Sequence, residues 1–124
     1  ALPDIDTPTT VSDISRAKIV DLGMQLGQSI RAALVVYITQ AADRRTSVIL
    51  QVCPLGERPY LAEGIELNVL DDSGAVYLEA RSRAIDNYIQ LRFMGQPGEQ
   101  FGVCISLGEN GENGENVFRE QFVI

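Results

Sequence analysis

The chain of 124 residues has no histidine and no tryptophan, and only two cysteines. Lys18 is its only lysine. Without histidine, serine, threonine and cysteine nucleophiles lose their commonest base. A Ser–Lys pair would need Lys18, and nothing places a serine beside it. Two cysteines are too few for a disulfide scaffold, and without histidine too few for a zinc site made by one chain. The lack of tryptophan removes the usual aromatic platform for glycans, leaving Tyr37, Tyr60, Tyr77 and Tyr88 as substitutes. No stretch has the length or composition of a membrane helix, and no signal peptide is visible. Carboxylates are plentiful, but nothing selects an acid/base pair; Glu63 and Asp86 are the weak candidates. The expectation is a chain without enzymatic activity, cofactor or metal.

What is present belongs to an ordinary globular domain, with 45% hydrophobic and 22% charged residues. The net charge of −7 repels phosphate backbones, which argues against nucleic acid and anionic membranes as partners. Residues 1–15 carry Pro3, Pro8 and several threonines and aspartates without apolar period. They read as a linker or disordered arm, and as the start of a piece cut from a longer protein. Residues 16–124 read as the folded domain. A helix is conceivable only near Ser12 to Lys18, where Ile19, Val20 and Gly23 oppose its extension.

From Ala17 onward apolar residues alternate, the signature of half-buried strands. Val20, Leu22, Met24 and Leu26 form one such set. Val48, Leu50 and Val52 form another, as do Ile65, Leu67 and Val69, then Val76, Leu78 and Ala80. Ile89, Leu91 and Phe93 follow, then Phe101, Val103, Ile105 and Leu107, and finally Phe118, Phe122 and Ile124. Turn residues separate them: Pro54 with Gly56, Asp71-Asp72-Ser73-Gly74, and Gln96-Pro97-Gly98-Glu99. About eight short strands without a convincing helix predict an all-β fold. The first expectation is an antiparallel, immunoglobulin-like sandwich of two sheets; a small barrel is the second. Gly108 to Asn116 repeats Gly-Glu-Asn and reads as an expanded hairpin loop without the aspartate spacing of a recognisable calcium loop. Cys53 and Cys104 fall on the outward parity of their strands, which predicts free thiols in a reducing compartment.

The stretch from Arg31 to Thr39 is apolar on both faces. Ala32, Leu34, Val36 and Ile38 suit the core. Ala33, Val35 and Tyr37, joined by Ile49 of the next strand, then form a candidate exposed apolar patch, and such patches mark contacts. The competing expectation is that the Pro59-Tyr60-Leu61 loop or the N-terminal strand folds over them.

Several segments in series resemble a known family. They are Arg16-Ala-Lys-Ile-Val-Asp-Leu-Gly-Met-Gln-Leu-Gly27, Val48-Ile-Leu-Gln-Val-Cys-Pro54, Tyr60-Leu61, Val69-Leu-Asp-Asp-Ser-Gly-Ala-Val76, Asp86-Asn-Tyr-Ile-Gln-Leu91, Gly95-Gln-Pro-Gly-Glu-Gln-Phe101 and Phe122-Val-Ile124. Together they are similar to the C-terminal region of the cyanobacterial domain-of-unknown-function family eighteen-twenty-two, over about Arg16 to Ile124. Cys53, Cys104 and the Gly-Glu-Asn triplets depart from that pattern. The resemblance implies an intracellular protein with a larger N-terminal region and no assigned activity. Its members tend to lie near sigma-factor and caspase-like signalling genes, which implies a regulatory setting.

The functional expectation is a cytoplasmic, non-enzymatic protein-interaction or regulatory module. Its partner would be another protein, the larger N-terminal region, or a second copy in a homodimer. The alternative is a sandwich that binds calcium or a glycan with its loops.

Overall fold

The structure, a computed structural model, describes residues 13–25, 27–40, 43–56, 58–107 and 117–124. The described residues contain eight strands and no helix. These are β1 (Asp13–Gln25), β2 (Gln28–Gln40), β3 (Thr46–Pro54), β4 (Glu66–Leu70), β5 (Val76–Arg81), β6 (Ile89–Gly95), β7 (Gln100–Ser106) and β8 (Phe118–Val123). They form two four-stranded sheets, ordered β1-β2-β3-β6 and β5-β4-β7-β8, with every pairing antiparallel. The two-sheet sandwich expected from the alternation is therefore present, and neither sheet closes into a barrel. The chain crosses between sheets from β3 to β4, β5 to β6 and β6 to β7. The pairs β3·β6 and β4·β7 thus interlock, as in Greek-key sandwiches.

The core is the sum of the inward sets. Leu34 and Val36 of β2 and Val48, Leu50 and Val52 of β3 meet Leu67 and Val69 of β4 and Val103 and Ile105 of β7, all essentially excluded from water. Phe93 and Phe101 pack edge to face with centroids 5.0 Å apart, and Phe101 stacks on Phe122 at 5.2 Å. Burying one such side chain contributes about 1.5–3 kcal/mol, so the core comes from many equal contributions rather than one anchor.

Three local expectations are corrected. β1 starts at Asp13, because Asp13, Ile14 and Ser15 continue the ladder opposite Thr39, Ile38 and Tyr37. The strand therefore takes the end of the segment read as an arm and replaces the conceivable helix; residues 1–12 lie outside the described residues. Met24 does not share the buried face of Val20 and Leu22 but is 54% exposed. The register shifts between Asp21 and Met24, where Gly23 takes a φ of 89° that suits glycine, and one extra residue inverts the parity beyond it. Val76 is likewise exposed, because β5 shifts register against β4 between Val69 and Leu70. The Gly-Glu-Asn loop lies outside the described residues.

At the open seam between the sheets, β1 places Arg16 and Lys18 opposite Val36 and Leu34. Lys18 Nζ bonds Glu120 Oε1 of β8 at 2.9 Å and lies 5.4 Å from the Phe118 ring centre. Charges at such positions keep a long edge strand from pairing with another chain.

Candidate functional site

Among the described residues, β2 is the strand whose two faces are both apolar along most of its length, and the structure places it inside the first sheet. Its inward residues enter the core. Its outward residues Ala33, Val35 and Tyr37 stand in the middle of the sheet's outer face. Tyr37 faces Ser15 on β1 and Ile49 on β3, and Ile49 faces Arg92 on β6. Val35 lies between Ala17 and Gln51, and Gln51 faces Gln90. Ala33 lies between Ile19 and Cys53.

The structure brings the four predicted residues together. Ala33, Val35 and Ile49 are half-buried, flanked by their cross-strand neighbours, and Tyr37 is 38% exposed. Ile19, which the alternation argument passed over, extends the patch and is 58% exposed. The signal for it was the doublet Ile19-Val20: an apolar residue at the off-face position of a strand must point away from the core. A polar margin runs along the β6 side, where the Gln51 amide donates to Gln90 Oε1 at 2.7 Å.

The segment expected to cover this face turns elsewhere. The Leu61 N–H donates to the Asp86 carbonyl at 2.9 Å, and Leu61 is buried at the end of the sandwich. Ser82 anchors the same end, its hydroxyl donating to the Ala62 carbonyl at 2.6 Å and accepting the Ile65 N–H at 2.9 Å. The N-terminal strand lies beside β2 in the sheet, not across it.

Asp86 and Lys18 are each tied to a charged neighbour. Asp86 accepts from the Arg83 N–H at 2.8 Å and from Arg83 Nη2 at 2.9 Å, and this pairing holds its carboxyl below the ordinary carboxylate range. It is an ionised clamp on its own turn, a poor proton donor near neutrality. Glu63 sits exposed between the Ser82-anchored loop and β4. Lys18 is committed to Glu120. Cys53 and Cys104 are free thiols, half-buried, on the outer faces of different sheets, so no bond between them is open to this fold. Burial raises both thiol pKa values; at Cys104 Arg119 opposes the shift and Glu66 adds to it. Among the described residues no group of three or more carboxylates and thiols is placed to hold a metal ion.

The model of the family described as "Protein of unknown function (DUF1822)" matches residues 1–116. The chain belongs to this family. The match takes in the opening segment as well as most of the sandwich, so it reaches further toward the N-terminus than the resemblance beginning at Arg16. No curated protein and no solved structure matches this DUF1822 chain. No helix among its described residues is long and apolar enough to cross a membrane.

Proposed function

We propose that this DUF1822 domain is a non-enzymatic protein-interaction module that docks a protein partner on the outer face of its first sheet. One observation carries the reading: Ile19, Ala33, Val35, Tyr37 and Ile49 form a continuous apolar patch across three strands, with no described segment laid over it. Such a patch costs solubility when bare, and covering it contributes roughly 25 cal/mol per Å² of apolar surface removed from water. One valine or tyrosine contributes a few kcal/mol at most, so the patch acts as a group with Val35 near its centre. The free cysteines support the reducing cytoplasm as its location.

The test is Val35→Asp, matched with Asn68→Asp on the outer face of the second sheet. A photo-cross-linker at Tyr37 identifies the bound protein in cells, and sedimentation of the purified domain detects a second copy. The expected result is a folded Val35→Asp variant whose affinity for the purified partner, or for itself, falls at least about tenfold. Asn68→Asp should leave binding unchanged. If Val35→Asp unfolds the domain, or both variants bind as the parent does, the reading is wrong.

A further inference from the structure

The end of the sandwich remote from Ser82 carries a notch that the docking face does not use. Two turns border it, Asp71–Gly74 between β4 and β5 and Gln96–Glu99 between β6 and β7. The Gly98 N–H donates to the Ile124 carbonyl at 2.7 Å and the Ile124 N–H to the Glu99 carbonyl at 2.8 Å, which fixes the second turn against the last strand. The register shift in β5 turns Tyr77 toward the other sheet, where it meets Phe93 edge to face at 6.0 Å. Tyr77, Phe93, Phe101 and Ile124 then line an open notch of about 180 Å³. It adjoins a wider cleft of about 490 Å³ between the turns, lined by Asp71, Asp72 and Glu99. No lysine or arginine lines either space among the described residues.

Two of the three carboxylates at the mouth, Asp71 and Glu99, are already oriented. Asp71 Oδ1 accepts from the Ser73 N–H and hydroxyl at 2.9 and 2.6 Å and from the Ala75 N–H at 3.0 Å. The Ser73 hydroxyl is the main cause that lowers its pKa, so Asp71 stays charged near neutrality. Glu99 Oε1 accepts the Gln96 N–H at 2.6 Å. Each uses one oxygen in its own turn, which leaves the other for a ligand. The size admits one side chain, since pockets for drug-sized ligands begin at about 300 Å³. Aromatic walls with an anionic rim favour an organic cation. A guanidinium suits both parts, because it lies flat on an aromatic ring and offers paired N–H groups to carboxylates, with a stem to lie along Ile124.

We infer that this notch receives an arginine side chain presented by a protein partner. The inference rests on the notch and its charge, and it stands whether or not the docking face on the first sheet is used.

The test is titration of the domain with N-acetyl-arginine methylamide, followed by NMR at the Ile124 methyls and the Tyr77 and Phe93 rings. Expected are saturable shifts at these three residues with a dissociation constant in the millimolar range for an isolated side chain. The neutral citrulline analogue should bind at least about tenfold more weakly, because it keeps the shape and loses the charge. Free arginine has the same net charge as the capped form, so tighter binding of free arginine would mark the notch as a metabolite site and overturn the protein-borne assignment. The double variant Asp72→Asn, Glu99→Gln should lose binding about tenfold while keeping its melting temperature, because the glutamine Oε1 still accepts the Gln96 N–H. Equal binding of citrulline, equal binding of the lysine analogue, shifts centred elsewhere, or no saturable shift would each overturn the assignment.

Discussion

The outer faces of the two sheets are made from the same alternating strands and carry opposite surfaces. On the second sheet, Glu66 stands beside Arg81 and Ser106, and Asn68 between Glu79 and Cys104, which in turn faces Arg119. Arg81 reaches Glu66 at 3.6 Å across the strands. The middle of this face is the polar exterior that an antiparallel sheet shows to water, and apolar side chains reach it only toward the sheet's end, where Leu70 faces Val76 and Val123 faces Gln100. On the first sheet the corresponding positions hold Ile19, Ala33, Val35, Tyr37 and Ile49. Apart from the charged Arg16, Lys18 and Glu120 at the seam, the inward positions of both sheets are largely apolar, so the fold does not need the outer apolar set. An apolar set in the middle of one outer face, in a chain of net charge −7, is a feature that stability leaves unexplained and that the proposed docking would explain.

The comparison can be broken most strongly on β3, where Ile49 and Leu50 are neighbours on opposite faces. Leu50→Ala should cost about 2–5 kcal/mol in denaturant unfolding, because Leu50 is fully buried and leaves a cavity. Ile49→Ala should cost less than about 1 kcal/mol while weakening the partner contact. An Ile49→Ala cost equal to that of Leu50→Ala would mean that the first sheet's outer face is covered after all. The next effect concerns the loop that could have covered it. Ser82→Ala removes a buried hydroxyl that bonds Ala62 and Ile65, and should cost about 1–3 kcal/mol. Alkylation of Cys53 should not change in that variant; faster or slower labelling would show that the anchored loop reaches the docking face. The smallest effect sharpens the contrast directly, because each outer face carries one thiol. Both should react slowly in the free domain, since burial raises both pKa values and lowers the thiolate fraction. Partner binding should protect Cys53 and leave Cys104 unchanged, read by mass spectrometry after timed alkylation. Protection of Cys104 instead would move the interface to the second sheet.

Much of this architecture was legible in the chain. Val48, Leu50 and Val52 declare their shared face because a strand has period two, and Asp71-Asp72-Ser73-Gly74 declares its hairpin because Gly74 takes a φ of 90° that suits glycine. The outward apolar set of Ala33, Val35, Tyr37 and Ile49 was legible for the same reason, as apolar residues at the off-face positions of their strands. Met24 and Val76 were misread where register shifts break that period, and an alternation rule holds only within an unbroken ladder. The aromatic notch could not be read at all. Tyr77 and Phe93 come from strands in different sheets, and Asp71 and Glu99 from separate turns.

The sequence alone determined which residues face inward along each unbroken ladder, where the chain turns, and that no histidine-based chemistry is available. These follow from local rules of backbone geometry and side-chain type. Only the tertiary structure decided that β3 pairs with β6 and β4 with β7, that the Leu61 loop tucks into the end of the sandwich, and that the apolar face of the first sheet stays bare among the described residues. Alternation fixes the parity of a strand but carries no information about its partner. Pairing between distant strands is settled by the common burial of all the inward faces at once.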